Sequence, residues 1–368
     1  MKIIFGFILL LNMPTVNAQK SYLLIGTYTS GKSEGIYVYD FNSATGTAGY
    51  HSKIKASNPS FIAVSPNQHY VYAAFENNNG SIGSYTFDKK TGALTFINEQ
   101  SSGGSSPCFV TTDKTGKWVA EANYGGGSLS VFPVAAGGGL NTASSFIQDS
   151  GSSVNKERQE KAHVHSTFFT PDNKYLFVPD LGTDKVMIYS INQITGKLKP
   201  APQPFAKAVD GSGPRHLAWT PNNKYVYLIQ ELTGVVVAYK YNDGKVTAIQ
   251  HISAAQPDFK RFMGSADIHV SADGKFLYCS NRGDANNITI FKINAADGKL
   301  KVIGYQSAMG KAPRNFSIDP SGNYLLAANQ DSDDIVIFKR NKVTGMLTET
   351  GKKIEVGNPV CLKWISVK

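Results

Sequence analysis

The chain repeats one short pattern six times, and a fixed period of that kind decides the architecture ahead of any single side chain. The copies read SPNQHYVYAAFE (65–76), DKTGKWVAEANY (113–124), TPDNKYLFVPDL (170–181), TPNNKYVYLIQE (220–231), SADGKFLYCSNR (271–282) and DPSGNYLLAANQ (319–330). Their starts lie 48, 57, 50, 51 and 48 residues apart. Each copy is a polar turn of Pro, Asn, Asp or Gly followed by a β-prone run, which predicts strand, turn and strand.

A second pattern alternates with the first and occurs seven times, in segments such as GIYVYDFNSATG, KVMIYSINQITGKL and IVIFKRNKVTGML. Together they predict about four strands per unit. Such a unit leaves both sheet faces uncovered and must stack on its neighbours, so the expected fold is all-β, a seven-bladed propeller of four-stranded antiparallel blades. Seven blades close only if the chain ends share one. GNPVCLKWI (357–365) reads like the strand that leads into each repeat, and YLLIGTY (22–28) like the strand that follows each turn. A C-terminal strand is therefore expected to complete the N-terminal sheet and leave no open edge.

Residues 1–18 stand apart, because Lys2, the apolar run from Ile3 to Leu11 and the ending Val16-Asn17-Ala18 match a secretory leader. The run is too short to span a bilayer, and no cysteine follows the cleavage position. The expectation is an exported, periplasmic or secreted protein with no membrane insertion, folded as one domain over 19–368. Cys108, Cys279 and Cys361 lie in β-prone runs away from metal-ligand spacing and read as small core residues, with a single disulfide left open. The formal charge of +10 would suit an acidic partner. The lysines recur one per turn, however, at Lys117, Lys174, Lys224 and Lys275, which describes a solvated rim with no basic stripe. Nucleic acid is not expected as a partner, a small anionic molecule is, and the chain is read as a monomer or weak homodimer.

In a repeat protein the shared positions build the scaffold, so function is sought where the copies differ at equivalent places. In an antiparallel pair the start of one strand and the end of the next share an edge, and in a propeller that edge rings one mouth of the central channel. Six residues before each turn Pro, or its equivalent, stand Ser60, Cys108, His165, Arg215, Ala266 and Arg314. Ten residues after it stand Glu76, Tyr124, Leu181, Glu231, Arg282 and Gln330. The cluster of arginines with His165 and Glu231 is costly unless it binds something, and Arg rings suit carboxylate or phosphate. Glu231 is either a structural partner of Arg215 or a proton-transfer group.

His165 reads as a general acid or base, as a structural residue, or, with His163 two residues away on the same face of a strand, as one arm of a metal site. Further ligands are not found, so neither metal nor cofactor is expected. Asp267 is placed to orient Arg282, His269 between blades, and the recurring Asn123, Asn281 and Asn329 on turn backbone. No nucleophile elbow, P-loop or dinucleotide fingerprint is present. GGGS at 125–128 falls in a hairpin connection.

The segments HVHSTFFTPDNKYLFVPDLGTDKV, GSGPRHLAWTPNNKYVY, SADIHVSADGKFLYCSNRG and APRNFSIDPSGNYLLAANQ together resemble the seven-bladed lactonase family. That family includes propeller-type 6-phosphogluconolactonases and fungal 3-carboxy-cis,cis-muconate cyclases. The resemblance implies His165, Arg215, Glu231 and Arg282 as catalytic residues. It adds Arg314 and Gln330 near the same mouth, beside His163 and Asp267 as further substrate contacts. It implies a lactonase opening an anionic sugar lactone with water activated by His165, with ring closure of the muconate type or a non-catalytic binding propeller as alternatives. The familiar phosphogluconolactonase role is cytoplasmic, whereas the leader here points to export, which leaves the phosphate on the substrate open.

Overall fold

The computed structural model describes residues 20–367. Seven four-stranded antiparallel sheets stand around one axis, and six of them are continuous in sequence. The seventh joins the chain ends, with Pro359–Ser366 paired to Lys20–Thr27 from Ser21↔Ser366 to Thr27↔Pro359. The expected closure is thus observed. The leader assigned to residues 1–18 lies outside the described residues. No helix among those described is long and apolar enough to cross a membrane.

The repeated turn has a local cause. Its first residue, Ser65, Asp113, Thr170, Thr220, Ser271 or Asp319, accepts with a side-chain oxygen the N–H of the aromatic residue five positions on, at 2.7–3.1 Å. Three residues into the turn the backbone goes left-handed at Gln68, Gly116, Asn173, Asn223, Gly274 and Gly322, where Gly and Asn cost little. The aromatic that follows starts a strand whose apolar residues pack between blades. Large buried clusters result, such as Tyr72, Val110, Trp118 and Phe132 in one and Phe276, Tyr278 and Phe338 in another. The outermost strands keep mostly exposed residues, as in Thr47–Lys55. The lysines of the turns are exposed, as the solvated-rim reading requires. Cys108, Cys279 and Cys361 are all free and buried, so the open question of a disulfide is answered by three separate thiols.

The innermost strands line the channel, and their beginnings share a device that positions the functional mouth. Most begin at a proline, Pro59, Pro107, Pro214, Pro313 and Pro359, a residue tolerated there because the first N–H of a strand need not enter the ladder. Pairing then skips residues in six blades: Val360, Ser60, Cys108, Arg215, the pair Ala266 and Asp267, and Arg314. These are β-bulges, which bend the strand and re-aim the extra side chain. The fourth blade is the exception. Its inner strand is reduced to Phe168–Phe169, preceded by a long excursion from residue 149 to 167.

Candidate active site

The end of the second strand is tied to the start of the first in every blade. The N–H of Tyr28, Glu76, Tyr124, Leu181, Glu231, Arg282 and Gln330 donates to the carbonyl of Asn358, Asn58, Ser106, His163, Gly213, Gly264 and Ala312, respectively, at 2.7–3.3 Å. This clamp sets the two groups of mouth residues side by side at one edge of each sheet. Below it lies a cavity of about 330 Å³ walled by Tyr28, Glu76, Cys108, Tyr124, Arg158, His165, Glu231, Arg282 and Arg314.

Glu231 is the hub. Its Oε2 accepts from Arg215 Nε at 2.9 Å and forms an ion pair with Arg282 Nη2 at 3.0 Å, and its Oε1 accepts from Arg158 Nη2 at 2.6 Å. Burial alone would raise its carboxyl, but the guanidinium charges of Arg282, Arg215 and Arg158 outweigh burial and hold it well below the usual range. It is therefore a fixed negative charge. His165 Nε2 stands 3.8 Å from Glu231 Oε2, and its other nitrogen faces the Cys108 Sγ at 3.9 Å. Burial, reinforced by Arg215 and His216, pushes the imidazole well below its ordinary value despite Glu231. His165 is thus neutral at neutral pH and able to accept a proton.

Arg215 is fully buried beneath Glu231 and does not wall the cavity. Its Nη1 donates to the Ala266 carbonyl and lies 3.4–3.5 Å from both ring nitrogens of His216. Arg282 is fixed by Nε to the Gly264 carbonyl at 2.8 Å, and burial lowers it to about 10, leaving it charged at neutral pH. The Arg314 guanidinium sits over the Tyr28 ring, 5.4 Å from its centroid, and makes no hydrogen bond among the described residues. The Tyr28 hydroxyl donates to Glu76 at 2.8 Å.

Several expected contacts fall elsewhere. His163 is not on a strand shared with His165; its ring stacks on Tyr124 at 4.5 Å and is held by the Tyr124 carbonyl and Glu160, outside the cavity wall. Asp267 does not touch Arg282. One residue past the bulge position, as His216 is past Arg215, it holds His216 Nδ1 at 2.9 Å, His269 Nε2 at 2.8 Å and the Asn315 amide. Gln330 keeps its backbone at the clamp while its side chain is not part of the wall. Asn123 and Asn329 do bond backbone, at Ser102 and Ala308 of the preceding connections, whereas Asn281 bonds the side chains of Asn287 and Thr289. No cluster of three metal-type ligands occurs among the described residues.

Two wall residues escape the repeat comparison. Tyr28 holds the position equivalent to Glu76, but its blade has no turn of the repeated kind because the chain ends meet there. Its likeness to YLLAANQ was the signal available. Arg158 belongs to the excursion at 149–167, where nothing repeats. That segment is pinned by Ser153 Oγ to Asp184 Oδ2 at 2.5 Å, by Gln159 Nε2 to the Leu181 carbonyl at 2.8 Å, and by a turn in which Asn155 accepts the N–H groups of Arg158 and Gln159. At its base, Oδ2 of Asp149 and Oδ2 of Asp180 are both buried without an N–H or hydroxyl partner. Burial and the neighbouring Asp180 raise Asp149 to about 7.

The family described as "Lactonase, 7-bladed beta-propeller" matches residues 22–364. Among the relatives is a 6-phosphogluconolactonase of Formosa agariphila, 39% identical over 93% of this chain and 98% of that protein. Another, from Bacillus subtilis and also named 6-phosphogluconolactonase, is 37% identical over 93% and 97%. Among solved structures, the periplasmic gluconolactonase of Pseudomonas aeruginosa superposes with a TM-score of 0.91 at 35% identity, covering 95% of this chain and 100% of that one.

Proposed function

Since the chain belongs to the seven-bladed β-propeller lactonase family, we propose that it hydrolyses the lactone of a sugar acid at the mouth walled by His165, Glu231, Arg282 and Arg314. The observation that carries the reading is a neutral imidazole 3.8 Å from a permanently ionised carboxylate, inside a ring of arginines. In the proposed reaction a water bonded to His165 attacks the lactone carbonyl carbon and gives its proton to the imidazole. Arg282 and Arg314 offer N–H groups to the oxyanion that develops, a stabilisation that is usually a large term in acyl transfer. Collapse breaks the ring C–O bond, and the imidazolium returns the proton to the leaving hydroxyl.

Glu231 acts by orienting the water and the arginines. Held ionised by three guanidinium groups, it is a poor proton acceptor, which favours the electrostatic role over proton transfer. Arg215 works from behind as a positioning residue for Glu231. The same neutral imidazole favours hydrolysis over ring closure, because adding a proton to an alkene calls for a protonated acid. Export, read from residues 1–18, is part of the proposal and is supported by the periplasmic relative.

The test is a hydrolysis assay on phosphorylated and unphosphorylated hexonolactones with the wild type and His165→Gln. Turnover is expected to fall to the uncatalysed rate in the variant with Tm unchanged, a loss of at least about 100-fold for a removed general base. Wild-type rates in His165→Gln would overturn the assignment.

A further inference from the structure

The four arginines at the mouth are not equivalent. Arg215 and Arg282 side chains are 2% and 15% exposed and approach Glu231 Oε2 from within, while Arg158 is 36% exposed and takes Oε1 from the solvent side. Only Arg158 comes from a segment outside the blades, and that segment's backbone is fixed by the Ser153, Asn155 and Gln159 contacts. Its freedom therefore lies in the side chain. Nη2 is bound by Glu231 and the Tyr124 hydroxyl at 3.2 Å, whereas Nε and Nη1 have no hydrogen-bond partner among the described residues.

Charge at the mouth points the same way. Within the cavity wall Arg158, Arg282 and Arg314 face two carboxylates, Glu76 and Glu231, with His165 neutral, while the deeper Arg215 also feels the Asp267 carboxylate. One positive charge is left over at the wall. It has no counterpart in the resting site unless the substrate itself carries an anionic group, because excess like charge in a partly desolvated site is unfavourable.

We infer that Arg158 is the specificity-determining residue of the site, exchanging Glu231 Oε1 for the substrate's own anionic group at the mouth. The exchange couples recognition to chemistry. When Arg158 turns to the substrate, Oε1 of Glu231 loses its guanidinium while Oε2 stays 3.8 Å from His165 Nε2, so the carboxylate can accept a hydrogen bond from the attacking water. A neutral lactone offers nothing to draw Arg158 away and leaves Oε1 occupied. The inference rests on the lactonase reading and deepens it.

The experiment compares kcat and KM for 6-phosphogluconolactone and gluconolactone in wild type, Arg158→Lys and Arg158→Leu, with calorimetric binding of 6-phosphogluconate and gluconate alongside. The wild type is expected to prefer the phosphorylated lactone. In Arg158→Leu the ratio of kcat/KM for the two substrates falls at least about tenfold, mostly through KM, as expected for losing a forked charge-assisted contact. Arg158→Lys, which keeps the charge and loses the fork, falls in between. Equal losses on both lactones, an unchanged ratio, or no wild-type preference would overturn the inference. If no lactone is opened at all, the hydrolase reading fails and binding decides. A product-affinity ratio that drops in Arg158→Leu then upholds the arginine's role, and an unchanged ratio rejects it.

Discussion

At the scale of single residues the mouth is a study in forced ionisation. His165 and Glu231 are both buried and both deprotonated, yet one is left neutral and the other charged, because burial penalises any charge while three arginines reward only a negative one. This has a measurable pH consequence. The folded-state value of His165 lies well below its ordinary 6.5, so the proton-accepting form persists as pH falls through that point. The profile of kcat/KM is expected to be flat between about pH 6 and 7.5, with its acid limb displaced below the usual histidine range. A half-fall centred near pH 6.5 would show that the imidazole titrates normally and that the surrounding arginines do not set its charge. The same crowding separates roles that look alike in sequence. Arg215 and Arg314 hold the same repeat position, but one lies under the hub and the other lies over the Tyr28 ring in the cavity wall, with no hydrogen-bond partner among the described residues.

At the scale of elements, the bulge after the strand-opening proline and the clamp at the strand end explain why subtracting one repeat from another located the mouth. Ser60, Cys108, Arg215 and Arg314 are all bulge residues, and a bulge preserves its register from blade to blade. Asp267 is the informative failure. It stands one residue past the bulge position, where His216 stands in the preceding blade, and its partners are His216, His269 and Asn315, a set spread over neighbouring blades that a count within one blade cannot see. Cys108, read as a core residue, proves to be both buried and a wall of the cavity. Arg158 was illegible because its segment has no counterpart to be compared with. That segment also carries its own pH dependence. Asp149 at its base is raised by burial and by Asp180 to about 7, above its unfolded value of 3.8. A carboxyl raised in the fold stabilises fully below the unfolded value and loses that contribution as pH rises through the folded one. The wild-type Tm is therefore expected to decline between about pH 5 and pH 8 relative to Asp149→Asn, whose amide donates to Asp180 at every pH. Parallel melting curves for the two proteins would remove the raised Asp149 carboxyl from the account.

At the scale of the whole molecule, stability depends on a sheet built from both ends of the chain. Pro359–Ser366 contributes buried Val360, Cys361, Leu362 and Ile365, and covers the edge of Lys20–Thr27. Deleting residues 359–368 exposes that edge, and an uncovered strand invites pairing with another copy. The truncated protein is expected to elute as dimers or larger species and to melt at lower temperature. A monomer with the wild-type Tm would mean that the remaining blades close without the final strand. The ring and its closure were legible because seven copies constrain one another. Nothing in any single copy reports the order in which they become complete. Tyr28, from the first blade, is placed by the Asn358 carbonyl, and Arg314 rests on the Tyr28 ring. One wall of the cavity thus waits for the segment that runs from Asn358 through Pro359–Ser366 to pair with Lys20–Thr27. A chain that holds all the other blades therefore still lacks a finished cavity, so that closing the ring and assembling the site end in the same step.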